Sequence, residues 1–289
     1  MVNRIRPGSE ERNVRAVLHD AASRLAAISD TPRLDAELLM AHALGVERET
    51  LLLDPTRFAV PETFAGLVAR RLAREPVAYI IGHRDFWTVR LRVGPGVLIP
   101  RPDSETLIEA CLDFAQQARG EGWPRTVLDL GTGPGTLLLA SLSEWPDSTG
   151  LGVDSSETAL DYARSNAAAL GLAGRAEFRR GDWGEGLADC YDLILCNPPY
   201  IAESEELMPD VADHEPAEAL FAGVDGLADY RRLIPDLARL LAPGGAAVLE
   251  IGATQLKLVG SLAEQAGFAV QCRKDLAGRD RAVLLTPAA

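Results

Sequence analysis

The chain has 289 residues, 47% of them apolar and 25% charged, a composition typical of globular proteins. It contains no run of about 18 apolar residues, and its polar start, residues 1–13, lacks the apolar core of a secretory signal, so we expect a cytoplasmic protein. Residues 1–84 carry 12 Arg and 11 Asp or Glu, whereas the remainder carries 17 Lys or Arg and 31 Asp or Glu. Because clustered basic residues hold phosphate backbones, this acidic remainder argues against a nucleic-acid substrate without excluding one.

The four cysteines are widely spaced and include no Cys-x-x-Cys pair. This spacing favours small, buried, reduced residues over a disulfide framework or a zinc site. We therefore expect no metal centre at Cys111, Cys190, Cys196 or Cys272.

Residues 1–82 show only helical periodicity. Apolar residues recur at three-and-four spacing over residues 13–28, and a second helix is predicted to begin at Pro32 and stop at Gly45. A short third helix is predicted around residues 51–53, and a fourth over residues 61–72. No catalytic cluster accompanies these helices, so we interpret residues 1–82 as a small helical bundle used for substrate recognition.

The period changes at Phe86. Apolar residues alternate from Trp87 to Val93, as in a half-buried strand, and Gly94-Pro95-Gly96 then precedes Val97-Leu98-Ile99. We predict a β-hairpin turning at these glycines, which forms a linker over residues 83–100.

Strands and helices alternate from Thr126, which predicts an α/β domain over residues 101–289 with a parallel sheet. The first strand runs into Gly131-Thr132-Gly133-Pro134-Gly135, whose glycines allow a ligand close to the backbone. The second strand ends at Asp154, where an acid can accept hydrogen bonds from ribose hydroxyls. The third is followed by Trp183, which can lie against an adenine ring. These strand ends together predict a nucleoside-containing cofactor.

The fourth strand ends abruptly in Asn197-Pro198-Pro199-Tyr200. The two prolines cannot continue a ladder and hold the backbone extended, which forms a rigid shelf at the strand's carboxyl end. On this shelf Asn197 and the Pro198 carbonyl can accept hydrogen bonds from a planar amino or amide group, and Tyr200 offers a flat face. The arrangement resembles the amino-group methyltransferase motif, in which S-adenosylmethionine (SAM) methylates a planar nitrogen.

Nearly the whole chain resembles one family, the HemK/PrmC-type glutamine methyltransferases of peptide chain release factors. Beyond the shelf and the glycine loop, the resemblance depends on several further segments. They are Arg33-Leu34-Asp35-Ala36-Glu37-Leu38-Leu39, Pro76-Val77-Ala78-Tyr79-Ile80-Ile81-Gly82, Val97-Leu98-Ile99-Pro100-Arg101-Pro102, His214-Glu215-Pro216, Asp225-Gly226-Leu227 and Asp275-Leu276-Ala277-Gly278-Arg279-Asp280-Arg281.

The resemblance implies a Rossmann-like, seven-stranded methyltransferase domain whose last strand is antiparallel, preceded by the helical bundle and the hairpin. It implies SAM bound by the loop from Gly131 to Gly135, Asp154, Trp183 and Asn197. The implied substrate is the glutamine of the Gly-Gly-Gln motif in class-1 release factors, methylated on its side-chain nitrogen (N5). Asn197, Pro198 and Tyr200 would be catalytic, and Pro199 would join them in binding the substrate.

Other functions are compatible with the same motifs. A sibling enzyme that methylates a glutamine of a ribosomal protein would share most of these motifs. The Asn-Pro-Pro-Tyr motif also occurs in adenine-N6 and guanine-N2 methyltransferases of nucleic acids. A SAM-binding adaptor without catalysis is disfavoured, because Asn197, Pro198 and Tyr200 are all present.

Overall fold

The computed structural model describes residues 13–118 and 122–288, which form two compact units. The first unit comprises residues 13–82 together with Pro209–His214, and the second comprises His83–Met208 together with residues 215–288. Among the described residues, no helix combines the length and apolar character that crossing a bilayer requires.

Helices occur in both units. In chain order they are α1 (Val14–Leu25), α2 (Pro32–Leu44), α3 (Arg48–Leu53), α4 (Phe64–Leu72), α5 (Val77–Ile81), α6 (Glu105–Ala118), α7 (Thr136–Glu144), α8 (Glu157–Ala169), α9 (Pro209–Ala212), α10 (Ala228–Leu240) and α11 (Leu256–Gln265). The first unit contains α1–α5 and α9. Its four predicted helices are present, and α2 begins at Pro32 and ends before Gly45, whose φ of +66° closes the helix. The sequence pattern does not predict α5, because its five residues are too few to show a helical period.

One buried ion cluster joins distant parts of the first unit. Arg71 of α4 donates from Nε to Asp35 Oδ2 of α2 at 2.8 Å, and from Nη1 to Asp210 Oδ2 of α9 at 2.6 Å. The Arg71 side chain is 7% exposed, and those of Asp35 and Asp210 are 9% and 15% exposed. Because water is excluded, each of these charges depends on its partners. The cluster therefore fixes α9 in the first unit, although α9 lies more than 120 residues further along the chain.

The hairpin differs from the prediction. Strand β1 (His83–Phe86) pairs antiparallel with β2 (Val89–Arg92), and residues 97–99 form no strand. The turn lies at Trp87, which adopts a φ of +53° and donates its backbone N–H to Glu105 Oε1 at 2.8 Å. Glu105, at the start of α6, lies 18 residues further along the chain than Trp87. The prediction of one continuous strand through Trp87 is therefore wrong, because the chain turns at this residue. The linker predicted over residues 83–100 is thus a hairpin only as far as residue 92.

The second unit is built on a seven-stranded sheet, as predicted. Its strands are β3 (Thr126–Leu130), β4 (Thr149–Asp154), β5 (Ala176–Arg180), β6 (Tyr191–Cys196), β7 (Leu241–Glu250), β8 (Phe268–Lys274) and β9 (Asp280–Pro287). Their spatial order is β5-β4-β3-β6-β7-β9-β8, with β9 antiparallel to both of its neighbours. The order reverses between β3 and β6, which places the carboxyl ends of β3, β4 and β6 along one edge where ligands bind in such sheets.

Helices cover both faces of the sheet. Alternate residues of β6 point to opposite sides: Ile194 joins one buried apolar cluster with α10 and α11, and Leu195 joins another with α6 and α7. This alternation explains why β6 reads as a continuous apolar run. Cys111 and Cys196 are buried in these clusters.

The other two cysteines are exposed, contrary to expectation. Cys190 lies in the loop before β6, and Cys272 lies on the edge strand β8. Sequence spacing argues against a disulfide framework for these residues, but it carries no information on which strand lies at an edge of the sheet.

Replacing Arg71 with Met should destabilise the first unit. Met keeps much of the buried stem, but Asp35 and Asp210 lose a shared partner, and breaking a buried pair typically costs about 3–5 kcal/mol. Denaturant unfolding of the full chain should show this loss in the transition of the helical unit. The matched control is Arg24→Met, because Arg24 is exposed and lies 3.9 Å from Asp20, and its effect should stay within about 0.5 kcal/mol. Equal effects of the two substitutions would contradict the structural importance of the cluster.

Candidate active site

A cavity of about 260 Å³ opens at the carboxyl edge of the sheet, and every residue that lines it belongs to the second unit. The structure brings most of the predicted site residues to its wall: Gly131, Thr132, Gly133, Pro134, Asp154, Trp183, Asn197 and Pro199. Gly135, Pro198 and Tyr200 are not among the lining residues. The strand-end pattern thus corresponds to a single concave site.

The glycine loop is shaped by close approaches at two of its glycines. At Gly131, which has a φ of +71°, a Cβ would come within 3.1 Å of the Trp183 ring. At Gly135, with a φ of +87°, a Cβ would come within 2.8 Å of Leu139 Cδ1. Gly131 therefore allows the indole to pack against the loop at the cavity, whereas Gly135 allows α7 to start tightly behind it.

Asp154, at the end of β4, is tied to this loop. Its Oδ2 accepts the Gly133 N–H at 2.8 Å, and its Oδ1 accepts the Ser156 N–H at 2.9 Å. Burial raises the pKa of the Asp154 carboxyl, while the hydrogen bonds from these backbone groups oppose the rise. Each oxygen retains lone-pair capacity, so the carboxylate can accept further hydrogen bonds in the cavity.

Asp129, at the end of β3, is a cavity residue that the sequence interpretation missed. Its Oδ2 accepts the Thr132 hydroxyl at 2.6 Å and the Leu138 N–H at 3.1 Å. Its Oδ1 is buried and has no hydrogen-bond partner among the residues that the structure describes. Burial raises the pKa of Asp129 to about 7. The available sequence signal was an acid two residues before the first glycine of the loop.

Trp183 shares the cavity wall with a third acid, Asp229. Burial raises the pKa of the Asp229 carboxyl, and the nearby Arg232 and Trp183 side chains oppose the rise. Trp183 adopts a φ of +51°, and a Cβ at Gly131 would come within 3.1 Å of its ring. The indole is therefore packed against the glycine loop.

Two residues of the shelf after β6, Asn197 and Tyr200, have different surroundings. Asn197 lines the cavity, and its Nδ2 donates to Ser104 Oγ at 3.3 Å. Tyr200 packs against the apolar cluster below the sheet, and its hydroxyl donates to Glu250 Oε1 at 3.1 Å. In this structure the amide of Asn197 faces the cavity, whereas the Tyr200 hydroxyl is turned to a buried carboxylate.

The segment before α6 closes the cavity on the side of Asn197. Pro100, Arg101 and Ser104 line the wall, and Glu215 contacts this segment from behind the lining residues through Ile99 and Arg101. The buried Glu215 carboxylate accepts the Ile99 N–H at 3.0 Å and Arg101 Nη2 at 2.5 Å. Glu215 therefore organises this wall.

The charge of the cavity wall is strongly acidic. Five carboxylates line it against two guanidinium groups, and one of the two, Arg232, is paired with Asp182 at 2.6 Å. The other, Arg101, is paired with Glu215. The wall thus has an excess of negative charge, which favours a cationic ligand over a phosphate-bearing one.

The sheet order, the antiparallel β9 and the cavity at the carboxyl edge define a methyltransferase domain. Residues 125–272 match the family model described as a methyltransferase domain. A ribosomal protein L11 methylase from Lactobacillus delbrueckii subsp. bulgaricus has the same fold, with a TM-score of 0.50 and 22% identity, covering 69% of this chain and 86% of that chain.

Further matches, to the helical residues and to most of the chain, identify the family. Residues 16–82 match the model described as the PrmC N-terminal domain. The release factor glutamine methyltransferase of Caulobacter vibrioides is 45% identical over 88% of this chain and 89% of its own length. The enzyme of the same name from Rhodospirillum rubrum is 44% identical, over 88% and 79%. The chain belongs to the release factor glutamine methyltransferase family.

Asp129→Asn should stabilise the ligand-free protein at neutral and higher pH. Folding raises the pKa of Asp129 from 3.8 to about 7, because the charged carboxylate is costly to bury. The stability that the neutral carboxyl contributes is therefore lost as the pH rises through that interval. Asn mimics the neutral form and keeps an acceptor for Thr132 and Leu138. We expect a gain of about 1–3 kcal/mol at pH 8 that shrinks toward pH 5.

Thermal unfolding at several pH values measures this difference. The exposed Asp147→Asn serves as the control for removal of one negative charge, and its effect on stability should stay within about 0.5 kcal/mol. A gain of the same size for both variants would show that net charge, rather than burial of Asp129, is responsible.

Proposed function

We propose that this enzyme transfers a methyl group from SAM to N5 of the glutamine in the Gly-Gly-Gln motif of class-1 peptide chain release factors. The observation that carries the proposal is that Asn197, the glycine loop and Asp154 line one cavity. A planar amide held by Asn197 and a nucleoside held by the loop would therefore meet in the same space. The names of the relatives support the choice of protein substrate.

The cavity residues fit SAM chemically. Asp129 Oδ1, buried without a partner among the described residues, suits the ammonium group of the methionine part. Asp154 suits the two ribose hydroxyls, and the Trp183 ring suits the adenine. The acidic wall suits a molecule that carries both an ammonium and a sulfonium charge. SAM, when bound, would supply an electrophilic methyl group on sulfur.

The chain's own contribution would be to hold the glutamine amide. The amide nitrogen is a weak nucleophile because its lone pair is delocalised into the carbonyl. Asn197 Oδ1 and the Pro198 carbonyl would accept its two N–H groups, which orients the nitrogen and favours loss of that conjugation. Once methylated, the amide nitrogen would lose one of its hydrogens as a proton to water. Positioning of this kind can supply several kcal/mol of the barrier. No general base is required if the proton leaves after methyl transfer.

Asn197→Ala should lower methyl transfer to a release factor by about 100–1000-fold, the effect of losing one oriented catalytic group. SAM affinity, measured by calorimetry, should change much less, because Asp129 and Asp154 remain. The product is measured by mass spectrometry after incubation with labelled SAM, which locates the methyl group on the glutamine.

The same assay decides between the open alternatives. Ribosomal proteins, DNA and ribosomal RNA are offered in parallel with the release factor. Methylation of one of these substrates with no label on the release factor would refute the proposal. Equal losses of SAM affinity and transfer in Asn197→Ala would show that Asn197 is mainly a cofactor ligand.

We further propose that the helical unit, residues 1–82 of the chain, recognises the folded substrate, while residues 101–289 form the catalytic domain and residues 83–100 link the two. The match of residues 16–82 to a model of their own supports a separate role for these helices. The assignment of the whole cavity lining to the second unit supports it as well.

A variant lacking residues 1–82 should bind SAM and methylate a short Gly-Gly-Gln peptide, yet fail on the intact release factor, because remote contacts that place the glutamine are lost. Asp210 would lose Arg71 and Arg74 in this variant, so it should also carry Asp210→Asn, tested alone in the full chain as the control. Circular dichroism establishes that the truncated form is folded. Undiminished transfer to intact release factor would refute the recognition role.

A further inference from the structure

Residues 94–98, which we call the strap, follow the hairpin and form part of the cavity wall. The hairpin strand β2 ends at Arg92, and Gly96, Val97 and Leu98 of the strap line the cavity. The glycine loop, which includes Pro134, forms another part of the same wall. Neither the strap nor residues 131–135 form a helix or a strand. The positions of both segments therefore depend on contacts with neighbouring elements.

Asn166 of α8 is hydrogen-bonded to the chain on both sides. Its Oδ1 accepts the Arg92 N–H at 2.7 Å, and its Nδ2 donates to the Arg92 carbonyl at 3.1 Å and to the Pro134 carbonyl at 2.8 Å. Asn166 is 1% exposed, so these bonds form away from water, where a lost partner is costly. One buried amide thus joins the end of the hairpin, just before the strap, to the glycine loop.

The strap itself packs on the same face of α8. Thr158 and Tyr162 precede Asn166 at helical spacing along this face. A Cβ at Gly94 would overlap the Tyr162 hydroxyl and come within 3.3 Å of Tyr162 Cζ. At Gly96, with a φ of +92°, a Cβ would come within 3.0 Å of Thr158 Cγ2. The two glycines, which the sequence pattern assigns to the hairpin turn, therefore allow the strap to lie directly against α8.

These contacts bear on the cofactor side of the cavity. The Gly133 N–H that donates to Asp154 lies one residue before Pro134, so displacement of the Pro134 carbonyl would disturb that bond. The strap contributes a second part of the same wall. A ligand that contacts both segments binds tightly only if they are already held in place, because ordering them on binding costs conformational entropy.

We propose that Asn166 and Tyr162 are positioning residues that hold the glycine loop and the strap in the arrangement that binds SAM. The proposal deepens the proposed function and rests on it, since it concerns the same cavity. Neither residue is among those that line the cavity, so each acts through the segments that it contacts. The substrate amide is held by residues that follow β6, so SAM affinity should change far more than kcat.

The first test is calorimetry of the full chain with SAM alone. Asn166→Ala should raise the dissociation constant for SAM by about 10–100-fold, because the loop and the strap lose their shared buried anchor. At saturating SAM and release factor, kcat should stay within about threefold of the wild type. This pattern is the opposite of the one expected for Asn197→Ala. An unaltered dissociation constant in a folded Asn166→Ala protein would overturn the proposal.

The matched control is Leu172→Ala, which removes a buried side chain just after α8. It should lower the thermal stability of the protein through the cavity it creates, while leaving SAM affinity unchanged. A loss of SAM affinity as large as that in Asn166→Ala would show that stability, rather than positioning, is responsible, and would overturn the proposal.

A compensating pair of substitutions tests the strap separately, and does so even if Asn166→Ala does not fold. Gly94→Ala should displace the strap from Tyr162 and weaken SAM binding. Tyr162→Phe removes the overlapping hydroxyl, so it should have little effect alone and should restore affinity in the Gly94→Ala background. Weakened binding in Gly94→Ala that Tyr162→Phe does not relieve would overturn the role of Tyr162, as would wild-type affinity in Gly94→Ala.

Hydrogen exchange of the ligand-free protein gives a readout that requires neither SAM nor a substrate. The Arg92 N–H loses its acceptor in Asn166→Ala, so exchange should accelerate at Arg92 and across the strap, but not in β6. Unaltered exchange at Arg92 would overturn the proposal. Failure of the wild type to methylate any release factor would refute the proposed function, whereas the SAM affinities and exchange rates would still decide the roles of Asn166 and Tyr162.

Discussion

The parallel alignment of β3, β4 and β6 is the constraint on which the site depends. Because parallel strands end at the same edge, the residues that follow them are brought together although they are far apart in sequence. The reversal of strand order between β3 and β6 opens the space that these residues line. Asp129, Asp154 and Asn197 occupy three successive positions along this edge, so one feature of the sheet creates both the cofactor side and the acceptor side of the cavity.

Buried acids are the electrostatic feature of this edge. Burial raises the pKa of Asp129, Asp154 and Glu250, so each carboxylate is held at some cost to the folded state. Asp154 offsets this cost with hydrogen bonds from backbone N–H groups, and Glu250 does so with the Tyr200 hydroxyl and Arg281. Asp129 retains an unfilled acceptor in the described structure. Buried carboxylates that lower the stability of the ligand-free protein suit a ligand that carries positive charge.

The fold could be predicted from sequence to the extent that local patterns control it. Residues 126–130 read as a strand because a buried apolar run meets a glycine loop, and β3 has those bounds. The presence of a hairpin was predicted, but the position of its turn could not be, because the turn at Trp87 depends on a contact with Glu105 at the start of α6. The position of α9 in the first unit depends on Arg71, which no periodicity within residues 209–212 reveals.

The sequence by itself determined the family, the glycine loop, the acid at the end of β4 and the shelf that begins at Asn197. These features are encoded in residue types at short spacing, where backbone geometry alone dictates the local structure. Only the tertiary structure decided that the Asn197 nitrogen meets the Ser104 hydroxyl, or that Asp129 Oδ1 has no partner among the described residues. Ser104 and Asn197 lie 93 residues apart, so a hydrogen bond between them depends on which donors and acceptors packing brings within reach.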